Sequence, residues 1–266
     1  MALLFLMADF IPSTNMKDNM LRTTSLNEIK QYAILSKPEE CCGLVLETLT
    51  GVKIWPTENC SEYDRTKTFK IHPFEVIKIE DQGKLIGIYH SHNSPSKERI
   101  FSELDIRNAQ IHKIMSIVYN TVEEQFCFLT ETSQLKYLGR KFLIGQNDCF
   151  SLIHDYFKNE LKIELGNYPR DNKWFIKNPT IWLDNVEKGG CKIVFKGSAL
   201  EEFALKKYDI LLSDGPIEGV PCHGALYIGN GMVLHHPRNK LSTLEPLHQT
   251  LAERILFVIR HKHYGN

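Results

Sequence analysis

Residues 85–105 read LIGIYHSHNSPSKERIFSELD. The run Leu85–His92 is rich in β-branched and aromatic residues, which predicts a strand. Alternation along a strand puts His90 and His92 on one face, where two imidazole nitrogens can meet one metal ion. A polar loop follows, and Ser102 opens a predicted helix running toward Met115. Asp105, in the first turn of that helix, offers a third, oxygen ligand and leaves one tetrahedral position open. Ser102 and Asp105 also have the spacing of a helix capping box, and both readings stand. Upstream, Glu40 precedes Cys41-Cys42-Gly43 at the entry to an early strand. A carboxylate near a metal but not bound to it can act as a general base.

Taken in order, Glu40-Cys41-Cys42-Gly43, His90-Ser91-His92 and Ser102-Glu103-Leu104-Asp105 resemble the JAMM (MPN-plus) metallopeptidases. The resemblance spans residues 20–130 and implies an α/β/α zinc hydrolase acting as a peptidase or isopeptidase. It implies His90, His92 and Asp105 as Zn2+ ligands and Glu40 as general base. Ser102 would support the tetrahedral intermediate by hydrogen bonding. Nine residues separate His92 from Ser102 where the family usually has seven, and Asn93 stands where a Pro commonly follows the second His. A slightly longer loop adds little closure entropy.

The second half carries a different chemistry. Cys149 follows Asp148 at the predicted start of a helix, where unpaired N–H groups and the helix dipole favour a thiolate. Cys149, Leu152, Ile153 and Tyr156 also share one helical face, the pattern of a core cysteine. Residues 223–236 read HGALYIGNGMVLHH, a hairpin with a histidine at one end and two at the other. A three-residue Gly229–Gly231 loop pairs Ala225 with His235, making His223 and His235 diagonal neighbours on one face. A two-residue Asn230-Gly231 turn pairs Ala225 with His236 and turns His235 away. Thiolate, base and orienter form a nucleophilic triad, while a Cys/His/His zinc site is the competing use of the same residues.

Gly139 through Cys149, with the His223–His235 segment, resembles the NlpC-type cell-wall peptidases, which have a papain-like fold. The resemblance spans residues 138–263. It implies Cys149 as nucleophile, His223 as base and His235 as polar third member, cutting peptide links in peptidoglycan without a cofactor. Phe150-Ser151 replaces the usual Ser-Gly, and Phe142 replaces a helper Tyr. Oxyanion stabilisation then falls to backbone N–H groups such as that of Cys149.

The 266 residues suit two domains, expected at 20–130 and 141–263 with a polar linker at 131–140. Helices and strands mix without repeating βαβ units, so the fold class is α+β. Other expected elements are a helix capped by Ser25, a hairpin at Thr50-Gly51, a short strand at Phe69–Ile71 and a helix from Pro73. Thirty-two basic side chains balance 32 acidic ones, which argues against nucleic acid as a partner. Seven irregularly spaced cysteines are no secreted disulfide framework. The apolar start Met1–Met7 is far short of the ~20 residues of a membrane span, and it lacks the basic leader of a signal peptide. A JAMM domain followed by an NlpC-type domain resembles tail proteins of lambdoid bacteriophages. That implies tail tip proteins and peptidoglycan stem peptides as partners, assembly in the host cytoplasm, and action at the host wall from the virion. An assembly factor with an inactive JAMM half, a cellular wall-remodelling peptidase and an effector cutting isopeptide links on host proteins are the rivals.

Overall fold

A computed structural model describes residues 23–95, 100–130, 133–197, 200 and 203–264. The apolar start and the upstream part of the first domain lie outside these residues. Helix α1 (Thr23–Leu35) begins ahead of Ser25, so Ser25 lies buried inside it and does not cap it. Ile29 and Ala33 form its buried face, as their spacing requires.

Strands β1 (Cys42–Thr48) and β2 (Gly51–Thr57) form the expected hairpin, with Gly51 at a φ of 118° in the turn. Helix α2 (Pro73–Lys78) has Pro at its first position, where the missing N–H costs nothing. Strand β3 (Lys84–His92) pairs antiparallel with β1 and parallel with β4 (Met115–Asn120). Helix α3 (Glu103–His112) makes the crossover that a parallel pair needs. Strand β5 (Gln125–Leu129) closes one edge, giving the order β2-β1-β3-β4-β5. The histidines of β3 thus sit at the carboxyl ends of a parallel pair, beside the start of α3.

The short strand expected at Phe69–Ile71 is absent. Asn59 takes its backbone bonds instead, accepting from the Lys70 N–H at 3.2 Å, while the Lys70 carbonyl accepts from the Cys60 N–H at 2.8 Å. Phe69 is left to stack on the His90 ring, with centroids 4.4 Å apart.

The second sheet is antiparallel, ordered β10-β9-β8-β7-β11-β6. Helix α4 (Cys149–Tyr156) lies against it and runs on into a π turn at Phe157–Leu161. Two single-turn helices follow, α5 (Trp174–Lys177) and α6 (Ile181–Asp184). The strands are β6 (Cys191–Lys196), β7 (Ile210–Ser213), β8 (His223–Gly229), β9 (Met232–His235), β10 (Thr243–Pro246) and β11 (Ile255–His261). A one-turn helix, α7 (Gln249–Ala252), precedes β11. Leu152 and Ile153 of α4 are fully buried among Leu212, Leu226 and Leu234 of the sheet. Each such side chain contributes about 1.5–3 kcal/mol by leaving water.

The polar stretch after β5 is packed. Tyr137 is fully buried and its hydroxyl donates to Glu160 at 2.7 Å, while Arg140 pairs with Asp155 at 2.6 Å. The two sheets also meet directly. The Gln125 side chain donates to the Leu241 carbonyl at 2.7 Å and accepts from its N–H at 3.0 Å, and Thr243 Oγ1 donates to the Phe126 carbonyl at 3.2 Å. Among the described residues no helix is long and apolar enough to cross a membrane.

Candidate functional site

The residues singled out in the sequence fall in two regions, one in each domain. In the first, β1 and β3 are pinned at one end. Ser91 donates its N–H to the Cys41 carbonyl at 3.0 Å, and its Oγ accepts from the Cys41 N–H at 2.9 Å. That lock sets Glu40, buried, beside the end of β3. His90 and His92 approach through their Nε2 atoms at 3.1 Å. Two nitrogens bound ~2.0–2.1 Å from one tetrahedral zinc lie ~3.3 Å apart, so the spacing fits the ion. Asp105 completes the set, with one ligand atom from each residue within 4.8 Å of the others.

The capping and ligand readings of Asp105 turn out to be compatible. Ser102 caps α3 by accepting from the Asp105 N–H at 3.1 Å, while its own N–H and Oγ donate to Asp105 Oδ2 at 2.8 and 2.7 Å. The second oxygen, Oδ1, stays turned toward His90 Nε2 at 3.7 Å. Burial pushes His90 down to about 4 and lowers His92, keeping both rings in the neutral form that ligation needs. Burial, then the charges of Asp105 and Asp64, push Glu40 up to about 8. His90 Nδ1 is buried with no hydrogen-bond partner among the described residues, and stacking on Phe69 fixes the ring.

In the second cluster Asp148 caps α4 and Cys149 is its first residue. The Asp148 carboxylate accepts from the Gly145 N–H at 2.7 Å and from the Ser151 N–H and Oγ at 2.9 Å each. Arg170 closes a fork on it, with Nε at 3.0 Å and Nη2 at 3.3 Å, and lies 4.3 Å over the Phe150 ring. Phe150 and Ser151 are thus tied into the clamp that holds the cysteine turn. Burial pushes the Cys149 thiol up to about 12, with the Asp148 charge adding to it and the Gly224 N–H working against it. Strand β8 comes this close to α4 because of Gly224, where a Cβ would lie 2.8 Å from the Trp182 ring and 3.0 Å from Ile153 Cδ1.

His223 Nε2 lies 3.0 Å from His235 Nδ1. Ala225 does pair with His235, yet the loop is the shorter of the two considered. Asn230 and Gly231, at φ 53° and 69°, form a two-residue turn between Gly229 and Met232, and an extra residue at Ile228 restores the register. Burial pushes His223 down to about 3, and His235 lowers it further. His235 Nε2 is 3.0 Å from Glu245 Oε1, and His248 Nε2 is 3.4 Å from the same oxygen. His236 is fully buried, with Phe142 edge-on to its ring at 5.2 Å. Arg170, Glu245 and His248 are the residues that sequence reading missed. Each lies in a loop or on a very short element, where no periodicity marks it.

Two protein-family models match the chain, prokaryotic homologs of the JAB domain over residues 24–130 and the NlpC/P60 family over residues 136–260. The tail tip assembly protein K of Escherichia phage N15 is 25% identical over 248 residues, which cover 91% of this chain and 96% of that protein. The tail tip assembly protein K of Escherichia phage lambda is 28% identical over 193 residues, covering 71% and 88%. Among solved structures, an NlpC/P60 family protein from Bacillus cereus is 15% identical with a TM-score of 0.31, covering 87% of this chain and 66% of that one. A Desulfitobacterium hafniense protein is 20% identical with a TM-score of 0.32, covering 40% and 78%.

Proposed function

We propose a function from the premise that this chain belongs with the tail tip assembly proteins K of phages lambda and N15, a Prok-JAB domain followed by an NlpC/P60 domain. It is a phage tail tip assembly protein with a domain of a peptidase family. The finer reading is a peptidoglycan endopeptidase in which Cys149 cuts a stem-peptide amide. The observation that supports it is the 3.0 Å contact of His223 with His235, on strands β8 and β9 of the sheet against which the helix beginning with Cys149 packs.

The proposed chemistry is acyl transfer through a thioester. His223 takes the proton of the Cys149 thiol as Sγ adds to the amide carbon. The first N–H groups of α4, that of Cys149 among them, face the oxygen that gains charge. Collapse breaks the C–N bond, and the leaving amine takes the proton from His223. The acyl-enzyme thioester is then opened by water, which gives its proton to His223, and the thiol is restored. Both groups begin neutral, since burial raises the thiol and lowers the imidazole. Proton transfer is therefore coupled to attack and does not precede it.

In the first domain His90, His92 and Asp105 would hold zinc, with Ser102 fixing the Asp105 carboxylate. Zinc, when bound, supplies Lewis-acid polarisation of a carbonyl and acidifies water. Glu40, buried and close enough to feel the Asp105 charge, would accept and return a proton in a second peptidase or isopeptidase activity. The Ser102 hydroxyl is committed to Asp105. That favours, as a second reading, a first domain that serves assembly and not cleavage. Tail tip proteins would be the partners, with assembly in the host cytoplasm and action at the host wall. Digestion of purified muropeptides, with products identified by mass, tests the peptidase reading; cleavage must vanish in Cys149→Ala.

A further inference from the structure

Strand β10 is four residues long, and its Glu245 extends the His223–His235 pair by one more strand. Ala225 and Thr243 flank His235 from either side, and Glu245 stands opposite Val233. His223, His235 and Glu245 are therefore successive diagonal neighbours on one face of β8, β9 and β10. A carboxylate can only accept hydrogen bonds. Glu245 Oε1, 3.0 Å from His235 Nε2 though off the line of its N–H, favours the tautomer protonated there, and Nδ1 then accepts from His223 Nε2–H at 3.0 Å. The lone pair of His223 is then on Nδ1. His248 accepts the Leu251 N–H at its Nδ1, so its Nε2–H also faces Glu245.

Strand β10 and the residues just before it are held by the other domain. Thr243, two residues before Glu245 on β10, donates to the Phe126 carbonyl of β5, and Gln125 clamps Leu241. Lys240 Nζ reaches the Glu123 carbonyl. Cys127, buried on β5, is near enough that the Glu245 charge adds to burial in pushing its thiol up to about 12. Burial acts to raise the Glu245 carboxyl as well, but His235 and His248 outweigh it and hold the group ionised.

We propose that Glu245 is a positioning residue of the cysteine site, and that strand β5 of the Prok-JAB domain forms the wall that keeps it in place. This rests on the reading of Cys149 and His223 given above. It gives the first domain a part in wall cleavage that requires no chemistry of its own. Glu245 touches no reacting atom; it sets the direction of the hydrogen-bond chain behind His223.

The test uses the full chain, with purified muropeptides as substrate and 15N-histidine NMR for the tautomers. Glu245→Gln keeps the shape but can donate as well as accept. It should lower kcat about tenfold, well short of the ~10⁴ lost when the orienting group next to a catalytic His is removed. KM should stay unchanged, and His235 should become a mixture of tautomers. Glu245→Asp should keep the single Nε2–H tautomer and recover part of the rate. Gln125→Ala, in the other domain, should lower kcat about threefold. A wild-type rate and a single His235 tautomer in Glu245→Gln would overturn the positioning role. A wild-type rate in Gln125→Ala would remove the first domain from the site. If Cys149→Ala still cleaves, it is the nucleophile assignment that fails, and the tautomer measurement still decides for or against Glu245.

Discussion

Replacing Arg170 by Met should cost about 3–5 kcal/mol of stability at neutral pH, the usual penalty for stranding one partner of a buried ion pair. Both side chains are nearly inaccessible, 3% exposed for Arg170 and 1% for Asp148. In the variant Asp148 keeps its bonds from the Gly145 N–H and from the Ser151 N–H and Oγ, but it loses its fork to the guanidinium. The stacking of Arg170 over Phe150 is lost as well, about 0.5–2 kcal/mol by the usual range for such contacts, part of it returned by Met packing. The pH dependence has a definite sign. Burial works to raise the Asp148 carboxyl, but Arg170 outweighs it and holds the group below its ordinary value. Such a group stabilises the fold above its unfolded pKa, about 3.9, and the contribution is lost as pH falls through the folded value. The gap between wild type and Arg170→Met must therefore narrow as pH falls, once the Asp148 carboxyl of the variant, raised by burial without its cation, takes up a proton. Urea unfolding of both proteins at neutral and acid pH measures this gap. The double variant Asp148→Asn/Arg170→Met should be more stable than Arg170→Met, because neither charge is then stranded. A loss below about 1 kcal/mol, the level of a surface pair, or a double variant weaker than the single one, would refute the clamp.

Three more outcomes follow from the two clusters. Metal analysis of the purified protein should find near-stoichiometric zinc that drops sharply in His90→Ala; equal zinc in both would contradict the ligand set. His235→Ala should slow muropeptide cleavage far more than His236→Ala, whose effect should fall on stability, since His236 is a buried packing residue beside Phe142; the reverse order would contradict the register. Burial pushes His223 down to about 3 and His236 to about 4, so the unfolded chain binds protons first and stability is lost as pH falls from about 6.5 toward 4. Each contributes a slope of up to about 1.4 kcal/mol per pH unit, so urea midpoints in His236→Ala should depend less steeply on pH than in wild type.

Much of this arrangement was legible because local pattern and chemistry coincide. The strand Lys84–His92, the cap at Ser102 and the cap at Asp148 announce themselves within a few residues. The hairpin reached the expected pairing of Ala225 with His235 by another route, a tighter turn corrected by a bulge at Ile228, which a count of loop residues does not reveal. Phe69–Ile71 had the composition of a strand, but the side chain of Asn59 claimed its backbone. Arg170 and Glu245 left no signal because their partners lie 22 and 10 residues away or across the domain seam, and the segments bearing them are too short to show a period.

Digestion of purified muropeptides by the full chain, with products weighed by mass spectrometry, bears most directly on the central claim. Wild-type protein should release fragments with a newly freed amine and carboxylate from one stem-peptide bond. Cys149→Ala, folded and still binding zinc, should release none. Equal cleavage by both proteins, or intact muropeptides after treatment with a folded wild-type chain, would contradict it.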